Sequence, residues 1–153
     1  MSSVISPKAE VSPKAKIGDG CKIFPFVYIE DDVVIGDNCV IFPFVSILNG
    51  TRMGSGNKIH QGSVLAALPQ DFNFVGEKSE LVMGDNNIIR ENVVLNRATH
   101  RGCKTIIGSN NFLMEGAHLA TIPLWVTSVS LDMVQRLQAI VRLERERLSL
   151  QML

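Results

Sequence analysis

Ile23-Phe24-Pro25-Phe26-Val27 recurs eighteen residues later as Ile41-Phe42-Pro43-Phe44-Val45, and this repetition decides the fold. Cys21 and Cys39 share the same offset. Working outward, a finer period appears: Ile5, Val11, Ile17, Ile23, Ile29, Ile35, Ile41, Ile47, Met53, Ile59 and Leu65 stand six apart without a slip. Four residues after each of the first ten comes a second, mostly small or β-branched column: Ala9, Ala15, Cys21, Val27, Val33, Cys39, Val45, Thr51, Asn57 and Ser63. Neither the helical period nor simple alternation yields a strict six. An α-helix would carry such a stripe around its surface and bury no face. Three hexads per turn of a coil satisfy both periods. The aliphatic residues then stack inward, and each short strand pairs with the coils above and below, which satisfies its backbone groups. Burial of one such side chain contributes roughly 1.5–3 kcal/mol gross. Chain entropy offsets much of that, so several coils must stack before the fold holds. The predicted fold class is all-β, a parallel β-helix of hexapeptide repeats over residues 1–120.

Corners are legible as Ile17-Gly18-Asp19-Gly20, Ile35-Gly36-Asp37-Asn38, Met83-Gly84-Asp85-Asn86 and Ile107-Gly108-Ser109-Asn110. Gly, Asp and Asn tolerate the backbone of tight turns. Pro25 and Pro43 mark further corners, and Phe24, Phe26, Phe42 and Phe44 read as stacked packing residues rather than a ligand box. The period resumes at Met83, Ile89, Leu95, Ile107, Leu113 and Leu119, with Arg101 in the vacant slot, which predicts a local bulge near Thr99 to Lys104. Between Leu65 and Met83 the pattern breaks, and Ala66 to Glu77 reads as an excursion loop ending near residue 82. Loops on rigid scaffolds often bind ligands. A flap packed on a neighbouring subunit fits the same composition.

Bulk properties narrow the function. The 153 residues carry 15 basic and 15 acidic side chains, without the basic stripe of a nucleic-acid binder. No apolar run is long enough for a transmembrane segment, and the N-terminal MSSVISPKAE has no signal-peptide core. Three cysteines without a CxxC pair fit a reducing, cytoplasmic setting. Cys21 and Cys39, one coil apart, lie within disulfide reach. Parallel side-chain directions favour two buried thiols instead.

Three further segments carry a resemblance: Gln70-Asp71-Phe72-Asn73-Phe74-Val75-Gly76-Glu77, Ile89-Arg90-Glu91-Asn92-Val93-Val94-Leu95-Asn96-Arg97-Ala98-Thr99, and Asn111-Phe112-Leu113-Met114-Glu115-Gly116-Ala117-His118-Leu119-Ala120. With the hexads, in this order and spacing, they make residues 1–120 similar to the UDP-N-acetylglucosamine acyltransferase family. The resemblance implies a left-handed β-helix, a homotrimer with sites between adjacent subunits, and no cofactor or metal. It implies 3-hydroxyacyl transfer from acyl carrier protein to the 3-hydroxyl of UDP-N-acetylglucosamine, the first step of lipid A synthesis. By the same resemblance Gln70 and Asp71 match loop residues that meet the sugar nucleotide, Met114 lines the acyl site, and His118 is the first histidine of a His-x-x-His pair. Read without it, the same residues are solvated loop groups or packing.

The departure falls at the second histidine of that pair, the family's general base, where this chain has Thr121. Loss of a general base costs about 10²–10⁴-fold in rate, so the chain is expected to be impaired. From Thr121 to Leu153 no hexads occur, lysine is absent, and helical spacing runs from about Ser130 to Leu150. We read this atypical tail, helical or disordered, as a frameshift product. Restoring one cytosine after the Ala120 codon permits LAHDTP, LGNKCV, FGYGTK, IAGNCE and IGKGAI, which return the histidine and resume the hexads. Trp125 before Val126 and Met133 before Val134 each force a glycine codon in that frame. A short homologue whose own helix caps the solenoid is the alternative.

Two other functions compete. A trimeric β-helix carbonic anhydrase would hold zinc on His60, His100 and His118. Their separations of 40 and 18 residues stack only two of them on one column, His100 also sits in the predicted bulge, and zinc needs convergent ligands. A non-catalytic β-helix would bind no nucleotide sugar.

Overall fold

The computed structural model describes residues 2–120. Within them, seventeen short parallel strands form three sheets of six, six and five strands, arranged as the three sides of a coil. Every paired strand runs parallel to its neighbours. The chain winds as a left-handed β-helix.

The hexad alternates inward, outward, inward: Cys21 is buried, Lys22 exposed and Ile23 buried. The aliphatic column is the core, with Ile29, Ile41, Ile47, Ile59, Leu65, Ile89 and Leu95 all closed to solvent. At the first coil the column is open, and Ile5 keeps 43% of its surface exposed, with no coil beyond it among the described residues.

The register records the interruptions. In the regular part Lys22 faces Val40 and Tyr28 faces Ser46, eighteen residues on. Across the excursion the offset becomes thirty, Lys58 facing Ile88 and Leu65 facing Leu95. Across the stretch between Asn96 and Lys104 it becomes twenty-four, Val82 facing Ile106 and Val94 facing His118. The insertions therefore add two hexads and one hexad, and the coil resumes in phase after each. The second insertion corrects one expectation drawn from spacing. His118 lies beside Val94, so His100, carried into a turn of the inserted hexad, does not share its column.

A polar column runs through the core beside one corner. Cys21 and Cys39 remain thiols, and each donates to the corner carbonyl of the next coil, Gly36 at 3.1 Å and Gly54 at 3.2 Å. Burial pushes the Cys39 thiol up to about 11. At the next level the column changes to amides. Asn57 donates to the carbonyls of Gly54 and Gly84 at 3.0 and 2.9 Å and accepts from the Asn87 N–H at 2.8 Å; Asn87 in turn accepts from the Asn111 N–H at 2.9 Å. The buried amides of this column are tolerated because they find partners.

The four phenylalanines stack as the sequence indicates. Phe24 lies over Phe42 at 5.3 Å, Phe26 over Phe44 at 5.4 Å, and Phe42 carries the His60 imidazole at 4.5 Å. They stack on the outside of a corner, and Phe26 and Phe44 adopt left-handed backbone with φ of 64°. That conformation costs a non-glycine residue roughly 1–2 kcal/mol. Proline at the preceding position restricts the corner, and ring stacking offsets part of the cost.

The domain boundary after residue 120, Thr121, the expected tail helix and the frameshift reading concern residues outside those described.

Candidate functional site

The excursion leaves the coil at an irregularity. Ala66 adopts φ of 57° while buried, and the pairing of Val64–Ala67 with Val94–Asn96 slips between Leu65 and Ala67. The slip ends the regular outward alternation, so Leu95 and Asn96 are both fully buried, one in the core and one beneath the departing loop.

Asn96 ties that loop down. Its Nδ2 donates to the Leu68 carbonyl at 2.7 Å and approaches that of Ala67 at 3.4 Å, while the neighbouring Arg97 N–H donates to Ala67 at 3.0 Å. The Arg97 guanidinium reaches the other way, donating to the Asn49 carbonyl at 3.0 Å and lying 5.6 Å from the centre of the Phe74 ring. Two consecutive residues of one coil therefore hold the start of the excursion and touch its middle at Phe74.

Asp71 sits within this frame. One carboxylate oxygen accepts from the Asn73 N–H at 2.9 Å, which closes a local turn, and the other accepts from the Thr99 hydroxyl at 3.2 Å. Thr99 belongs to the inserted hexad, so the two interruptions of the coil meet at this contact. Gln70 beside it is exposed. His118 lies half-buried on the outer face of the last described strand, His118–Leu119, with Nε2 2.8 Å from Asn96 Oδ1. Met114 stands on the corner before that strand with 67% of its surface exposed.

The structure thus links Asp71 to Thr99 and His118 to Asn96, with Asn96 bonded in turn to the loop that carries Gln70 and Asp71. No side-chain bond joins Met114 to the group. Asn96 and Thr99 escaped the sequence reading as site residues, although both lie inside a quoted segment. Asn96 takes a corner slot filled by Glu30, Leu48 and Ala66 on earlier coils, and nothing in that series marks it as buried.

Chemically, the cluster offers a fixed carboxylate, a hydroxyl and an imidazole along one edge of the coil. Acceptors of this kind suit sugar hydroxyls. A cleft beside the cluster is lined by Asp31, Asp32, Arg52, Lys78, Arg97 and Arg101, and within it Arg52 lies 2.6 Å from Asp32 and 3.2 Å from Glu80. Among the described residues no group of three or more histidines, cysteines and carboxylates could hold a metal, and His60 and His118 serve separate contacts, one on Phe42 and one on Asn96. No described helix is long and apolar enough to cross a membrane.

Comparison with known proteins adds four matches. The bacterial transferase hexapeptide model (six repeats) matches residues 14–41 and 32–67. The acyl-acyl-carrier-protein–UDP-N-acetylglucosamine O-acyltransferase of Chlorobaculum parvum is 49% identical over 116 residues, covering 76% of this chain and 44% of that protein. Among solved structures, LpxA of Bacteroides fragilis, a UDP-N-acetylglucosamine acyltransferase, superposes with a TM-score of 0.75 at 54% identity over 77% of this chain and 46% of its own. The Francisella novicida UDP-N-acetylglucosamine acyltransferase gives 0.74 at 36% identity, over 77% of this chain and 44% of its own. The chain spans less than half the length of these relatives.

Proposed function

The chain belongs to the UDP-N-acetylglucosamine acyltransferase family, and from that premise we propose that it retains a binding edge for the sugar nucleotide while transferring acyl groups poorly. The observation that carries the reading is the bonded set Asp71–Thr99 and His118–Asn96, assembled where the two insertions meet. In this reading Gln70 and Asp71 address the sugar of UDP-N-acetylglucosamine, His118 borders the same ligand, and Met114 borders the acyl chain delivered by acyl carrier protein. Supporting the polar roles, Asp71 is oriented by two hydrogen bonds, and a pre-oriented acceptor gives up less freedom on binding.

The homotrimer belongs to the same reading. Leu68, Phe72 and Val75 on the excursion are 60%, 108% and 82% exposed. Three large apolar side chains standing out of one loop are what an adjacent subunit would cover. A cytoplasmic setting, where Cys21 and Cys39 stay reduced, is part of it.

The impairment rests on Thr121, since a hydroxyl cannot accept a proton near neutral pH as an imidazole does. Titration calorimetry of the full chain with UDP-N-acetylglucosamine tests the binding half. Binding that Asp71→Ala weakens at least roughly tenfold is expected, on the loss of a charged hydrogen-bond acceptor. No heat at millimolar ligand contradicts the reading and favours a non-catalytic coil. An acyl-transfer assay tests the other half, and turnover equal to that of a full-length relative contradicts it.

A further inference from the structure

The orientation of the Asn96 amide is dictated by its neighbours. Its Nδ2 faces the carbonyls of Leu68 and Ala67, and carbonyls only accept. The Asn96 carbonyl oxygen must then be the atom turned toward His118, and it too only accepts. A neutral imidazole carries one N–H and one lone pair. Nε2 of His118 therefore holds the hydrogen, and the lone pair is on Nδ1. Among the described residues no hydrogen bond reaches Nδ1.

We propose that Asn96 is a positioning residue: through one amide it fixes His118 as the Nε2–H tautomer, with Nδ1 open as an acceptor for a ligand hydroxyl, and locks that imidazole to the loop bearing Gln70 and Asp71. The role of Nδ1 rests on the sugar-nucleotide reading above, whereas the tautomer and its dependence on Asn96 do not. Three observations converge on it. Asn96 is completely buried, so its amide has no water to exchange partners with. Both ends of the amide are engaged at short distances, 2.7 and 2.8 Å. The backbone slip at Ala66 and Ala67 is what brings the loop carbonyls within reach of the side chain. A side chain serving only as packing would need none of these matched donors and acceptors, and an apolar residue would avoid the desolvation of its amide.

Carboxylate and backbone carbonyl acceptors fix histidine tautomers by the same logic, through the hydrogen bond that the ring N–H donates to them. Here a neutral amide does so. The consequence is that the loop and the imidazole move together: a displacement of Leu68 pulls the amide, and the amide sets the ring.

Nitrogen-15 NMR of histidine-labelled, ligand-free full-length chain tests this above the pH at which the imidazole is protonated. His118→Gln assigns the signals. The expected spectrum has a protonated Nε2 whose hydrogen is protected enough from solvent to be observed directly. Asn96→Leu should abolish that protected hydrogen, and Asn96→Asp, which keeps an acceptor but loses the donor to Leu68, should retain it while amide exchange across 68–74 quickens. Unchanged Leu95 and Leu119 amide signals show that a variant is folded. A protonated Nδ1 in the parent chain overturns the proposal, as does a His118 signal indifferent to Asn96→Leu. If the spectra behave as expected but UDP-N-acetylglucosamine does not bind, Asn96 still positions His118 and only the ligand reading falls. If the ligand binds, Asn96→Leu should weaken it roughly tenfold, the usual cost of one misplaced hydrogen bond.

Discussion

The coils up to Leu65 and those after it are built from the same hexad, yet they do different work. In the first region nothing interrupts the eighteen-residue register, the corner phenylalanines stack ring on ring, and each buried thiol donates to the corner carbonyl of the next coil. In the second, two insertions leave the coil and return in phase, and every hydrogen-bonded pair of the candidate site uses at least one residue at an insertion or at the slip that launches it. Unbroken repetition satisfies each backbone group from its neighbours and leaves nothing over for a ligand. The breaks release side chains from that duty while the coil beneath keeps them in place.

The sharpest way to break this contrast is to damage the shared column. Ile47→Ala, at a fully buried level, is expected to lower the unfolding free energy by about 2–5 kcal/mol. The same change at Ile5, 43% exposed on the open first coil, should cost less than about 1 kcal/mol. Urea denaturation compares the two, and equal losses would mean that stacking does not define the core. Next in size is the glycine corner. A Cβ at Gly36 would lie 2.6 Å from the backbone of Gly54 and 2.7 Å from the Ser55 hydroxyl, whereas at Gly108 the nearest atom among the described residues is 3.9 Å away. Gly36→Ala should destabilise by roughly 1–3 kcal/mol through overpacking, and Gly108→Ala, one corner equivalent but near the end of the described coils, should be close to neutral.

A smaller effect comes from His60, the last ring on the exposed aromatic stack. Burial lowers its imidazole below the ordinary value of 6.5, Arg90 adds to the lowering and Glu91 opposes it. The unfolded chain therefore binds its proton more readily than the folded one, so the contribution is present above that value and is lost as pH falls through it. Melting temperature should drop more between pH 7.5 and 5 for the parent than for His60→Phe. An identical drop in both would assign the pH dependence elsewhere. Smallest of all is Phe44→Gly. Release of the left-handed backbone at φ of 64° and loss of the stack on Phe26 oppose each other, and the net change should be under about 1 kcal/mol.

The contrast also marks what could be read from residues alone. The stacked coil was legible because its cause is periodic: Ile23 and Ile41 announce the eighteen-residue turn, and the corners announce themselves through Gly36, Asn38 and their equivalents. Both interruptions were visible as gaps, at Ala66 and at Arg101. Their internal wiring was not. Nothing in the order of residues says that Thr99 from one insertion bonds Asp71 from the other, because that contact depends on how two aperiodic segments fold back over the same edge. Asn96 was hidden for a related reason. Its burial follows from the slip at Ala66, and a backbone slip leaves no compositional trace. The eighteen-residue separation of His100 and His118 misled for the converse reason: spacing predicts stacking only where no residues are inserted between.

Backbone amide NMR of the full chain during titration with UDP-N-acetylglucosamine tests the division of labour most directly. Shifts are expected to concentrate at Asp71, Asn96, Thr99 and His118, with Lys22 to Ile47 unmoved. Perturbations centred on the aromatic corner of Phe24 to Phe44, or no perturbation anywhere at saturating ligand, would contradict the assignment of binding to the interrupted coils.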